Sequence, residues 1–90
     1  MASYRLLIKP SAAKELEAML RKDRKRIVAK MEGLATNPRP PGSEKLSGEE
    51  KYRLRQGDYR VLYSIQDAST TVTIVKIGPA GGLPQLNTAD

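Results

Sequence analysis

The segment EKYRLRQGDYRVLY, residues 50–63, constrains the fold of this chain more than any other, because apolar and charged residues alternate on both sides of a short turn. Gly57 at the first central position favours a type II′ turn, with Asp58 at the second. This turn places Gln56 opposite Tyr59, and the other pairs follow outward along two antiparallel strands. The segment therefore predicts a β-hairpin with a defined register.

The register gives the two faces of the hairpin opposite characters, since side chains alternate across a strand. One face collects apolar and aromatic side chains: Tyr52, Leu54, Tyr59, Val61, Tyr63 and Ile65. The other face collects four cations, which we call the cationic face: Lys51, Arg53, Arg55 and Arg60. A shift of one residue would place Arg60 opposite Leu54 and mix charge into the core, so the polarity pattern supports this register.

The first half of the chain predicts one strand and two helices. A strand over residues 3–9 ends at Pro10, and Ser11 is expected to cap the following helix, which continues to about residue 22. A second helix follows, and the cations of RKDRKR are expected at the turn between the helices and in the first turn of the second. The apolar stripes that predict the two helices are Leu16, Met19 and Leu20 in the first, and Ile27, Met31 and Leu34 in the second.

The second half predicts a long connection and three strands. Residues 36–50 contain three prolines and two glycines, which favours an irregular loop. The hairpin strands at residues 51–56 and 59–66 follow, and the β-branched run TTVTIVKI predicts a last strand at about residues 70–77. The order β-α-α-β-β-β predicts a single α+β domain over residues 1–78, with a two-helix hairpin packed on a mainly antiparallel four-stranded sheet, and an irregular tail over residues 79–90.

Composition removes several classes of function. The ninety residues include no cysteine and no histidine, so disulfides, the usual zinc sites and histidine acid-base chemistry are excluded, and no cofactor is expected. The longest apolar run is far shorter than the roughly 20 residues that span a bilayer, and the N-terminus lacks the pattern of a signal peptide. We therefore expect a cytoplasmic protein with no membrane partner.

The charge favours a polyanionic partner. The formal net charge is +6, from sixteen Lys and Arg against ten Asp and Glu, and residues 21–30 alone carry six cations and one acid. Such a balance attracts RNA, DNA or an acidic protein, with an attraction that weakens as salt rises. Charge alone does not choose among these partners. A basic surface that is only solvated, with no partner, is a further alternative.

The cationic face likewise allows two interpretations, a surface that binds a polyanion or a surface neutralised by other residues of the chain. Like charges directly opposite each other, such as Arg55 and Arg60, destabilise a sheet by about 0.2–1 kcal/mol, so a compensating partner is expected. The partner is either a ligand with several phosphates or the acids of the preceding loop, Glu44, Glu49 and Glu50, which would neutralise the face.

The segment KLSGEEKYRLRQGDYRVLYSIQD, followed by TVTIVKIG, resembles the RelE branch of the RelE/ParE toxin superfamily of bacterial toxin-antitoxin pairs. The resemblance rests on the spacing of K-x-R-L-R, a short turn, Y-R-V-L-Y and a final V-x-K-I-G, and covers about residues 3–78. It implies a metal-independent endoribonuclease that enters the ribosomal A site, cuts messenger RNA and inhibits translation. It also implies a cognate acidic antitoxin, with operator DNA bound only through that antitoxin.

By position, the resemblance implies catalytic roles for Lys51, Arg53 and Arg60, and RNA binding by these three residues together with Arg55. Arginine forks suit phosphate oxygens, so Arg53 and Arg60 are expected to clamp the reacting phosphate. Lys51 is the candidate for proton transfer, because neighbouring cations disfavour its charged form.

One part of the family pattern is missing. The pattern normally continues after the last glycine with basic residues and a tyrosine that are assigned to catalysis, whereas Gly78 is followed by PAGGLPQLNTAD. Two expectations stay open for the RNA-cutting function: retained cleavage, or retained binding with weakened or absent cleavage. Two other functions also stay open, namely a ParE-like toxin that poisons DNA gyrase and a non-enzymatic basic module held by an acidic antitoxin.

Overall fold

The structure is a computed structural model that describes residues 3–46 and 51–79. In chain order its elements are β1 (Arg5–Ile8), α1 (Pro10–Glu17), α2 (Arg21–Thr36), β2 (Ser43–Lys45), β3 (Lys51–Gln56), β4 (Tyr59–Gln66), a 3-10 turn (Asp67–Ser69) and β5 (Thr71–Pro79). The strands form one sheet in the order β1-β5-β4-β3-β2. The β1–β5 pair is parallel and the other pairs are antiparallel. The predicted α+β class is confirmed, with one strand more than predicted.

The hairpin formed by β3 and β4 has the predicted register, with six residue pairs from Lys51 opposite Ser64 to Gln56 opposite Tyr59. Gly57 has a φ of +59°. Asp58 has a negative φ, because Thr70 is the one non-glycine residue of the described ranges whose φ is positive. A positive φ followed by a negative φ at the two central residues is typical of a type II′ turn. Both strand boundaries match the prediction.

The additional strand, β2, lies in the connection that the sequence predicts as irregular. It pairs Ser43 with Leu54, Glu44 with Arg53 and Lys45 with Tyr52. The strand follows a turn in which the Ser43 amide donates to the carbonyl of Pro40 at 3.0 Å. Three residues are too few to show an alternating pattern, so the neighbouring prolines and glycines dominated the prediction.

The two helices pack on the apolar face of the sheet and leave the cationic face uncovered. The rings of Tyr52 and Tyr63, which are directly opposite each other near the open end of the hairpin, stack with centroids 5.8 Å apart. Full burial of each large apolar side chain contributes about 1.5–3 kcal/mol, which makes this layer the main source of stability. The buried apolar residues are Ala12, Ile27, Met31, Leu34, Tyr52, Leu54, Val61, Tyr63, Ile65, Val72, Ile74 and Ile77.

Three predictions about the helices are wrong in detail. Ser11 is not the N-cap, because α1 begins at Pro10, whose fixed φ and missing N–H suit the first helical position. Leu20 is not on a buried stripe: α1 ends at Glu17, and the Leu20 side chain is 66% exposed. The RKDRKR cations do not occupy the turn between the helices, because α2 begins at Arg21 and includes all of them.

Strand β5 is longer than predicted and ends at Pro79, so the first residue of the predicted tail belongs to the sheet. Helix α1 covers the part of the β5 edge that extends beyond β1. The Glu15 carboxylate there accepts from the Ile77 amide at 2.8 Å and pairs with the Lys76 ammonium at 2.9 Å. The rest of the predicted tail, residues 80–90, lies outside the described residues. In the part of the chain that the structure describes, no helix has the length and apolar character needed to cross a membrane.

Candidate functional site

The cationic face lies on β3 and β4, on the side of the sheet opposite the helices. Arg55 is directly opposite Arg60, and Arg53 is directly opposite Leu62. Lys51 and Arg55 are exposed, while Arg60 is half-buried. The alternation of the hairpin thus holds the cations on regular strands, where the buried residues between them fix their spacing.

A cleft of about 400 Å³ opens over part of this face. Its lining is formed by Gly42, Glu44, Arg53, Arg55 and Arg60. The structure therefore brings three of the four predicted site residues into one cleft, together with one carboxylate. Lys51 lies two residues before Arg53 on the same face of β3, outside that lining.

Glu44 forms an ion pair with Arg53 at one side of the cleft. The two residues are direct partners across β2 and β3. The Arg53 Nη2 and Nε atoms donate to Glu44 Oε1 at 2.5 and 3.2 Å. Neutralisation by loop acids, one of the two alternatives drawn from the sequence, is therefore present at Arg53; the other two acids considered, Glu49 and Glu50, lie outside the described residues.

Among the described residues, no carboxylate compensates the charge of Arg55 or Arg60. The Arg55 Nε atom donates to the carbonyl of Gly57 at 3.2 Å, and within residues 3–46 and 51–79 neither arginine forms an ion pair with a carboxylate. Two opposed like charges cost about 0.2–1 kcal/mol in a sheet. A bound anion would relieve this repulsion, and guanidinium groups present parallel N–H donors that match two oxygens of one phosphate.

A second cluster, which the sequence analysis missed, anchors the loop that leads into β2. The Arg39 Nη2 atom pairs with Asp67 Oδ2 at 2.9 Å, and Arg39 Nε donates to the Tyr52 hydroxyl at 3.0 Å. The Tyr4 hydroxyl donates to Asp67 Oδ1 at 2.8 Å. The Arg39 guanidinium, and then the Tyr4 hydroxyl, hold the pKa of Asp67 below its ordinary value. No sequence signal marked Arg39, because it lies in a proline-rich loop without periodicity.

The same loop is also tied to the core. The hydroxyl of the buried Tyr63 donates to the carbonyl of Pro38 at 2.7 Å, and burial raises the pKa of Tyr63. The Ser43 hydroxyl donates to the carbonyl of Pro40 at 2.8 Å. These contacts fix the start of β2, and so they fix the position of Glu44 beside the cationic face.

Strand β5 is the neighbour of β4, which carries Arg60, and its Gly78 is the residue after which the family pattern would continue. Gly78 is directly opposite Arg60. Apart from its two chain neighbours, no described residue has an atom within 4 Å of a Cβ added at Gly78, so these residues leave the cationic face open at this position. Among the described residues, no cluster of His, Cys, Asp and Glu is placed to hold a metal ion.

The fold is that of RelE-like toxins. The toxin fold of the archaeal RelE–RelB complex from Pyrococcus horikoshii OT3 matches with a TM-score of 0.78 and 28% sequence identity, over 90% of this chain and 99% of that chain. The toxin-antitoxin complex RelBE2 from Mycobacterium tuberculosis matches with a TM-score of 0.78 and 27% identity, over 88% and 93% of the two chains. The isolated Escherichia coli RelE toxin has the same fold, with a TM-score of 0.78 and 24% identity, over 91% and 89%.

A family model for the ParE toxin of type II toxin-antitoxin systems matches residues 6–83. A search of curated proteins found no match. The chain therefore belongs to the ParE toxin family, within the RelE/ParE superfamily, and is a RelE-like toxin of a toxin-antitoxin system. The predicted family is confirmed.

Proposed function

We propose that this chain is a ribosome-dependent endoribonuclease that cuts messenger RNA in the A site and thereby inhibits translation. The observation that carries the proposal is the cleft in which Arg53, Arg55 and Arg60 converge, two of them without a carboxylate partner among the described residues. Such a cleft suits a phosphate backbone, because several fixed cations act on adjacent negative charges. The similarity to RelE toxins supports the choice of RNA as the polyanion.

The proposed chemistry needs no metal. Cleavage requires deprotonation of a 2′-hydroxyl, stabilisation of a phosphorane with additional negative charge, and protonation of the 5′-oxygen that leaves. Arg53 and Arg60 would stabilise the phosphorane, a role in which preorganised donors supply several kcal/mol. Lys51, at the edge of the same face, would exchange a proton with the substrate. The ribosome would hold the messenger in the reactive geometry.

We further propose that this chain retains RNA binding while its cleavage activity is reduced. The sequence after Gly78, PAGGLPQLNTAD, supplies neither the basic residues nor the tyrosine expected from the family pattern. The tyrosines of the hairpin do not replace that tyrosine, because Tyr52 and Tyr63 are buried on the opposite face and Tyr59 packs against the same core. Residues suited to binding the RNA backbone are thus present on the strands, while residues 79–90 do not supply the basic residues and the tyrosine that the family pattern assigns to catalysis.

A cognate acidic antitoxin is the proposed protein partner, with operator DNA reached only through it, and the proposed location is the cytoplasm. Two of the matching structures are a RelE-RelB complex and a toxin-antitoxin complex. The net charge of +6 fits a partner of opposite sign.

The test adds the purified chain to programmed ribosomes with an empty A site and maps new messenger 5′ ends. Lys51→Ala and Arg60→Ala are the site variants, and Lys30→Ala, an exposed cation on α2, is the matched control. Cleavage in the A-site codon that both site variants lose and the control retains would support the proposal. Salt-sensitive ribosome binding without cleavage would support a binding module whose chemistry is lost.

A ParE-like inhibitor of DNA gyrase is the second candidate. It is favoured by the family model, which describes the ParE toxin, and by the missing residues after Gly78, which gyrase inhibition does not require. A gyrase supercoiling assay distinguishes the two candidates: inhibition of supercoiling, with no binding to ribosomes, would favour the ParE-like function. Absence of both activities would favour a non-enzymatic module that acts only with its antitoxin.

A further inference from the structure

Glu44 is the one carboxylate among the described residues that line the cleft. Both hydrogen bonds from Arg53 converge on its Oε1 atom. These two donors, Nε and Nη2, form one edge of the guanidinium, and a phosphate can use the same edge for a bidentate contact. Glu44 therefore occupies an anion-binding position in the free protein.

The position of Glu44 is set by the fold. Strand pairing places Glu44 directly opposite Arg53, and the preceding loop is held by the contacts of Arg39 and Tyr63. The ion pair is nevertheless weak enough to be displaced, since the side chains of Arg53 and Glu44 are 40% and 63% exposed, and exposed pairs contribute about 0–1 kcal/mol. A ligand with several phosphates can therefore compete with it.

We propose that the Glu44 carboxylate competes with RNA for the Arg53 guanidinium. Glu44 pairs with Arg53 in the free protein, and an RNA backbone that is already bound by Arg55 and Arg60 displaces it. Among the described residues that line the cleft, two arginines are then available in the free protein, and Arg53 becomes the third only in the complex. This competition lowers the affinity for free RNA, and favours RNA whose phosphates are held in register with the cleft. The inference rests on the proposed function insofar as RNA is the ligand.

The experiment measures binding of a fluorescent 2′-O-methyl oligouridylate, which has no 2′-hydroxyl to react, by anisotropy over a series of salt concentrations. The variants are Glu44→Gln, Arg53→Gln and the double substitution. Glu32→Gln is the control: it changes the net charge equally, at an exposed position on α2. Thermal melting of each variant verifies that it is folded.

Glu44→Gln is expected to tighten binding about two- to fivefold, as the loss of an exposed competing ion pair implies. The slope of log affinity against log salt should steepen by up to about 0.7, the value for one additional phosphate contact on a single strand. Arg53→Gln should weaken binding more in the Glu44→Gln background than in the original protein, by the same two- to fivefold factor. Glu32→Gln should leave the affinity within about twofold of the original.

Several results would overturn the inference. Unchanged or weaker binding by Glu44→Gln would show that the carboxylate does not compete, and equal tightening by Glu32→Gln would assign the effect to net charge. An equal loss from Arg53→Gln in both backgrounds would show that the two residues are not coupled. If neither the original chain nor Glu44→Gln binds the oligonucleotide, the cleft is not an RNA site and the inference fails with it. If both bind with the same affinity, the inference alone is rejected.

Discussion

Replacing Arg60 with glutamine is expected to stabilise the fold and weaken RNA binding at the same time. Arg60 and Arg55 are direct partners in the hairpin, and neither has a carboxylate partner within the described residues. Removing one of two opposed like charges relieves about 0.2–1 kcal/mol. At about 4–8 °C per kcal/mol for a domain of this size, the melting temperature should rise by about 1–8 °C. Glutamine keeps part of the half-buried stem, which limits the loss of packing.

The same substitution removes a charged donor from the cleft. A hydrogen bond to a charged group contributes about 1.5–3 kcal/mol, so the affinity for the 2′-O-methyl oligouridylate should fall by about tenfold to a hundredfold. Calorimetry and anisotropy on one preparation measure the two effects, with Lys30→Gln as the charge-matched control. A fall in both melting temperature and affinity would refute the reasoning, since it would make Arg60 a structural residue. A higher melting temperature with unchanged affinity would equally refute it, because the opposed charges would then have no role in RNA binding.

Two further predictions concern the contacts that hold the loop before β2. Tyr63→Phe leaves the carbonyl of the buried Pro38 without its 2.7 Å donor, so the free energy of unfolding measured in urea should fall by about 1–3 kcal/mol, and a change below about 0.5 kcal/mol would show that the bond is not needed. Asp67, whose pKa is lowered in the folded protein by Arg39, contributes stability that is present above its ordinary pKa of 3.8 and is lost as pH falls through the lower native value. Melting temperatures between about pH 2 and 5 should therefore fall more steeply for the original chain than for Asp67→Asn, and parallel curves would contradict the assignment.

The sequence was most informative where a short-range pattern and a tertiary requirement coincide. In the hairpin, alternation defines the faces and Gly57 defines the turn, so the bounds of β3 and β4, all six residue pairs and the placement of the cations on one face were predicted correctly. The buried stripe of α2 was also predicted, because Ile27, Met31 and Leu34 repeat at helical spacing over two turns.

The sequence was least informative where contacts between distant residues decide the structure. Strand β2 exists because it pairs with β3, and its three residues carry no periodicity of their own. The contact of Arg39 with Asp67 joins residues 28 positions apart, and no local pattern announces it. The role of Glu44 was foreseen only as one of three acids that could neutralise the cationic face; its pairing with Arg53 depends on β2.

The placement of the cations bears on how binding and cleavage could be separated in this chain. Arg53, Arg55 and Arg60 lie on strands whose register is fixed by buried neighbours such as Leu54 and Val61, so they keep their positions whatever follows the last strand. The additional catalytic residues of the family pattern would come from the chain beyond Gly78, where this sequence departs from that pattern. Because the two sets of residues belong to different segments, substitution of one set need not disturb the other. A chain of this kind can therefore keep the arginine cleft, and the charge repulsion that accompanies it, whatever residues follow Gly78. For this reason binding and cleavage must be measured separately.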